Sequence, residues 1–151
     1  MSELPEEADR WTTAHVGASG YRTELSARTH NFVADEPGPL GGTDTGPTPY
    51  EYLLGALASC MAMTLRMYAD RKKWPLESVE VRLRTTRMHK VDCENCETSA
   101  VGIKQLDRTI ELKGALSDEQ RKRLLEIAER CPVKQTFASG IAFNTVDQPS
   151  G

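Results

Sequence analysis

The sequence lacks an apolar run long enough to cross a bilayer. Its longest uncharged, apolar-rich stretch, Tyr52 to Leu65, falls short of the roughly 20 residues a spanning helix needs. It also lacks an excess of positive charge: 19 Lys and Arg stand against 22 Asp and Glu, for a net charge of −3. No electrostatic footprint for nucleic acid follows from such a balance. Residues Met1–Asp9 hold Glu3, Glu6, Glu7 and Asp9 in place of a basic segment followed by an apolar one. The expectation is therefore a cytoplasmic protein with neither a membrane nor a nucleic-acid partner. The glycine-rich stretch has no Gly-Lys-Ser/Thr ending, which sets aside a phosphate-binding loop. His15, His30 and His89 form no spacing motif, and no Gly-x-Ser-x-Gly turn supports a Ser/His/Asp triad.

What remains is an ordinary soluble composition, 38% hydrophobic and 27% charged over 151 residues. That length suits one domain with a core of its own. Residues 1–9 read as a disordered acidic arm, 10–146 as the single domain and 147–151 as a flexible tail. From Trp11 to Ala34 the pattern predicts three short antiparallel strands, with turns at Gly17–Gly20 and near Ser26–Thr29. Asp35–Pro49 carries four glycines and four prolines and reads as a loop. Pro49 then opens a helix whose apolar residues Tyr50, Leu53, Leu54, Leu57, Met61, Leu65 and Tyr68 recur at helical spacing. Leu53–Met63 has no charge on any face, so this helix is expected to be buried on all sides, the last side by a second copy of the chain. Trp74-Pro75 stops it.

Val79–Met88 and Ala100–Leu112 alternate as strands, with Lys90–Ser99 as an exposed hairpin loop. Ser117-Asp118-Glu119-Gln120 is a capped helix start, and Leu124, Leu125, Ile127 and Ala128 supply its core face. Cys131-Pro132 ends that helix. A short helical turn and a last strand, Ile141–Val146, complete an α+β order.

The four cysteines carry the chemistry. Cys60 lies in the apolar helix, where a free thiol packs as a small hydrophobe and stays inert unless a charge activates it. Cys131 is either a plain helix-to-helix corner or the N-cap of a following helix, where the positive end of the dipole lowers a thiol pKa. Cys93 and Cys96 form one C-x-x-C among acidic residues. They are half of a zinc site, a surface dithiol or reversible disulfide, or a local turn. His89 is the nearest histidine.

Asp35-Glu36-Pro37, Gly41 to Glu51, Leu53 to Cys60, Thr64 to Ala69 and Leu125 to Val133 together resemble the OsmC/Ohr family over roughly residues 15–146. The likeness is closest to the branch often fused to an α/β hydrolase. It implies an OsmC-like fold, an antiparallel sheet wrapped around a long central helix in an intertwined homodimer with active sites at the subunit interface. It implies thiol peroxidase chemistry without a cofactor, on organic hydroperoxides and more weakly on hydrogen peroxide, with an external dithiol as reductant. Cys60 takes the peroxidatic role and Cys131 the resolving role. An arginine from the N-terminal strands holds the thiolate; Arg22 is the candidate and Arg28 the reserve. Glu51 matches the family glutamate but stands one residue late, about 13.5 Å along the axis from Cys60 on a continuous helix. The alternatives are a redox-sensing or small apolar ligand-binding protein with little turnover, and a metal site through Cys93 and Cys96.

Overall fold

The computed structural model describes residues 11–85 and 106–144. They fall into two compact units, 11–54 in the first and 55–85 with 106–144 in the second. The expected acidic arm, the C-terminal tail and the Lys90–Ser99 loop, with His89, Cys93 and Cys96, lie outside the described residues.

The first unit is an antiparallel meander of β1 (Thr12–Val16), β2 (Thr23–Ala27) and β3 (His30–Ala34). The β2–β3 turn is tighter than the sequence suggests. Ala27 pairs with His30, and Arg28 at the tip adopts the left-handed conformation at φ 54°. The loop that follows is pinned to the end of β3. Asp35 is 2% exposed, and its carboxylate accepts from Glu36 N, from Thr43 N and Oγ1, and from Thr45 N and Oγ1. A Cβ on Gly42 would stand 1.8 Å from the Glu36 carbonyl oxygen, so this close approach requires glycine.

α1 (Pro49–Lys72) begins in the first unit and continues in the second. Thr48 caps it: the Thr48 hydroxyl accepts from Glu51 N at 3.2 Å, and Glu51 Oε2 accepts from Thr48 N at 2.7 Å. That reciprocal pair, with Pro49 as the first helical residue, is a capping box. Tyr52 donates to the Val33 carbonyl at 2.5 Å, and its ring packs tilted on Phe32. At the far end Lys73 turns left-handed at φ 55°, and Trp74 N returns to the Ala69 carbonyl at 2.9 Å. This closes the last turn before Pro75.

In the second unit β4 (Leu76–Thr85) and β5 (Leu106–Gly114) pair antiparallel, in register Val79↔Leu112, Val81↔Ile110 and Leu83↔Arg108. α2 (Asp118–Ala128) has the expected capping box of Ser117 and Gln120. α3 (Pro132–Ser139) follows after a short corner. Leu65, Ala69, Leu76, Leu124, Ile127 and Ala128 form the core, and Leu57, Met61 and Cys131 a second cluster beside it. Each large apolar side chain so buried contributes about 1.5–3 kcal/mol.

Among the described residues of one chain α1 buries one stripe, Leu57, Met61, Leu65 and Ala69, while Met63 and Met67 on another face are 60% and 67% exposed. Two expectations are corrected. Leu125 is 46% exposed, because the inward stripe of α2 runs through Leu124, Ile127 and Ala128, and Leu125 stands a sixth of a turn or more off it. Residues 141–144 form no strand: Gly140, at φ 80°, ends α3, and Phe143 stands 92% exposed. Residues 145 and 146 lie outside the described residues. The uncharged run within α1 is only Tyr52 to Leu65, but the whole 24-residue helix, charged ends included, is long and apolar enough to cross a bilayer by length and composition. Its buried stripe packs into the protein core instead.

Candidate functional site

Cys60 and Cys131 are 71 positions apart in the chain and share one apolar cluster. Helical spacing puts Leu57, Cys60, Met61 and Thr64 on neighbouring faces of α1. Val81 and Leu83 of β4, Leu106 of β5 and Val133 of α3 pack around them. Cys131 is placed by its neighbour: Pro132 cannot continue α2 and occupies the first position of α3, which makes Cys131 the N-cap, at φ −54° and ψ 124°. The structure has Cys131 at the N-cap position, but corrects the lowered thiol expected there: its side chain makes no cap hydrogen bond, and burial shifts the thiol up.

The two thiols differ. Cys60 is half-buried, Cys131 wholly buried, and both are free. Burial pushes the Cys60 thiol up. Donation from the Cys131 thiol, the Val133 N–H and the Thr64 hydroxyl outweighs it and holds Cys60 below the usual cysteine range. Cys131 moves the opposite way: burial and its hydrogen bond to Cys60 raise it, against smaller contributions from the Lys134 and Val133 N–H groups. The Cys131 side chain makes no cap hydrogen bond to α3. The two thiols are thus shifted in opposite directions, Cys60 down and Cys131 up.

Arg22 and Glu51 both lie in the first unit. Arg22 Nη1 pairs with Glu24 Oε1 at 3.0 Å, and Glu51 is engaged in the helix cap. Arg28 occupies the β2–β3 turn. Among the described residues no group of three or more His, Cys, Asp or Glu could hold a metal ion.

Sequence reasoning missed Thr64 and Arg108. Thr64 has a plain signal, a hydroxyl one turn after Cys60. Arg108 has a subtler one: it shares the phase of Leu106, Ile110 and Leu112, so a cation interrupts the inward face of β5. Its Nη1 lies 3.9 Å from Met61 Sδ and its Nη2 2.5 Å from Glu129 Oε1. Glu129 also receives Lys134.

No curated protein sequence matches the chain. Among solved structures, it is similar to an OsmC-like protein from Mycoplasma pneumoniae, with a TM-score of 0.67 at 19% identity over 85% of this chain and 86% of that one. It is similar to an organic hydroperoxide resistance protein, OsmC, from Legionella pneumophila, with a TM-score of 0.61 at 21% identity over 84% and 87%. It also resembles the organic hydroperoxide resistance protein OhrB of Bacillus subtilis, with a TM-score of 0.52 at 19% identity over 83% and 88%. These likenesses establish the α+β fold. The OsmC-like protein family matches residues 42–146, more than half of the chain, and this protein belongs to that family.

Proposed function

We propose that this protein is a thiol peroxidase that reduces organic hydroperoxides, and more weakly hydrogen peroxide. The observation that carries the reading is the pairing of a half-buried Cys60 and a buried Cys131 in one apolar cluster, with the Cys60 thiol shifted down and the Cys131 thiol up. Two of the similar solved structures are organic hydroperoxide resistance proteins, which supports the same class. The Cys60 thiolate attacks the terminal peroxide oxygen and the O–O bond breaks. The alcohol leaves with a proton, and the sulfur becomes a sulfenic acid. Cys131 then displaces water from that sulfur to form a disulfide, which an external dithiol reduces by exchange. The decisive experiment is consumption of cumene hydroperoxide against hydrogen peroxide by the wild type and by Cys60→Ser. Equal inertness of the two proteins overturns the reading.

A second reading, a redox sensor or apolar ligand-binding protein with little turnover, draws on one observation: Glu51 is used as a helix cap. Stoichiometric oxidation without sustained turnover in the presence of a dithiol selects it.

Thiolate activation has its own test. Thr64→Val removes one donor from Cys60 and raises its pKa, so alkylation at neutral pH slows about two- to tenfold, the worth of one hydrogen bond. In the proposed mechanism Arg22 adds a guanidinium to these neutral donors, and Glu51 supports it. Arg22→Ala is then expected to move the alkylation profile to higher pH, with Arg28→Ala as its control. An unchanged profile in both removes arginine from the site.

The proposed assembly is a cytoplasmic homodimer in which a second copy covers the α1 face bearing Ser59, Met63 and Met67. Both methionines are well exposed in the single chain, and a contiguous apolar face of this kind marks an interaction site. Light scattering at micromolar concentration is expected to give the mass of a dimer. A monomer there removes the shared interface from the proposal.

A further inference from the structure

Arg108 is a cation on the inward face of β5, opposite Leu83 and two residues from Leu106, both of which line the thiol cluster. The residue is exposed as a whole, but its side chain is only 29% exposed and is held by a partner. That partner is Glu129, the residue that ends α2. Lys134, in the first turn of α3, reaches the other oxygen of the same carboxylate. Glu129 thus spans the corner that holds Cys131, with one cation from the sheet and one from the next helix. The second arm of the Arg108 guanidinium rests on the sulfur of Met61, the 2%-exposed neighbour of Cys60. Lys134 first and Arg108 second hold the Glu129 carboxyl below its ordinary range.

We infer that Arg108, Glu129 and Lys134 form a clasp that positions Cys131 against Cys60 and so sets how readily the two sulfurs close into a disulfide. The inference rests on the reading of Cys60 and Cys131 as a redox pair. A lone surface ion pair contributes little to stability. Here one carboxylate joins three elements, and two of them, α3 and the corner before it, carry the Cys131 backbone. Geometric restraint is what converts a bimolecular thiol reaction into a fast intramolecular one. The members of the clasp are positioning residues: their side chains engage one another and Met61, and only the backbone N–H of Lys134 bears on the Cys131 sulfur.

The test is the equilibrium of the full-length protein with glutathione. Oxidation by glutathione disulfide forms the Cys60–Cys131 bond and yields two glutathione thiols, which take up the two electrons and the two thiol protons. The cross-linked peptide is quantified by mass spectrometry. Glu129→Gln and Arg108→Gln are each expected to lower the equilibrium constant for closure about three- to tenfold. The double variant falls no further than the larger single effect, because either change opens the same clasp. Lys134→Gln removes the other cation of the clasp and is expected to lower the constant in the same direction. Unchanged constants in all three single variants overturn the clasp, as do effects that multiply fully in the double variant. A thermal midpoint that falls while the constant stays fixed does the same. No peroxide is present, so a protein that closes its disulfide yet consumes no hydroperoxide fails as a peroxidase while the clasp stands. A wild type that forms no Cys60–Cys131 bond at all overturns the redox pair and the clasp together.

Discussion

Cys60→Ser is expected to abolish hydroperoxide consumption, by at least about 10³-fold in rate, with the fold intact. Serine differs from cysteine there by one atom, and Cys60 is only half-buried, so the packing change is small. The chemical change is large, because an alkoxide cannot form near neutral pH without a general base, whereas a thiolate already can. Cys131→Ser has a different signature. In the wild type each hydroperoxide consumes two thiols and leaves a disulfide. In Cys131→Ser each consumes one and leaves a sulfenic acid that dimedone captures, and excess peroxide carries it on to the sulfinic acid. Cys131→Ala adds a further effect, since it also removes the thiol that helps to hold Cys60 below its usual range, so the first oxidation slows at neutral pH. Thiol titration and mass spectrometry read these outcomes. Loss of two thiols per peroxide in Cys131→Ser would show that another cysteine resolves Cys60.

The sequence made this pair visible in two different ways. Helical spacing placed Cys60 inside α1, and the Cys131-Pro132 dipeptide marked the end of α2, leaving a plain corner or an N-cap open, both local signals that survive folding. Their proximity is non-local, and only the family resemblance implied it. The electrostatic partners were harder to see. The Val133 N–H is a backbone group with no side-chain signature, and Arg108 is a sheet residue whose partner Glu129 is 21 positions away. Glu51 shows the reverse case. Thr48-Pro49-Tyr50-Glu51 fits a capping box by spacing alone, and the structure uses it so. The strand expected at 141–146 failed over its described part for a related reason. An apolar alternation states that a segment can lie in a sheet, while a strand needs a partner, and residues 141–144 pair with none of the described strands.

Asp35→Asn is expected to lower the thermal midpoint by about 5 °C or more and to change how stability depends on pH. Its sequence context, Asp35-Glu36-Pro37, reads only as the start of a loop, yet the side chain organises that loop. Oδ1 accepts from Glu36 N at 2.8 Å, and Oδ2 from Thr43 and Thr45 through both backbone and hydroxyl. Asparagine can offer an oxygen on only one side. With its oxygen towards the threonines, its amide meets the Glu36 N–H donor to donor, and a backbone N–H cannot turn away as a hydroxyl can. The threonine hydroxyls and then the backbone donors hold the Asp35 carboxyl far below the usual carboxylate range. A depressed folded pKa gives stability that is complete above the unfolded value, near pH 4, and is lost as pH falls through the folded value. The gap in midpoint between wild type and Asp35→Asn should therefore hold steady from pH 7 to about pH 4 and narrow below it, because only the wild type then takes up a proton on folding's reversal. Circular dichroism melts from neutral pH into strong acid measure this. A gap that stays constant throughout, or a midpoint within about 1 °C of the wild type at pH 7, would assign the loop's order to its backbone contacts, Asp44 N to the Glu36 carbonyl and Asp35 N to the Pro47 carbonyl, instead of to the carboxylate.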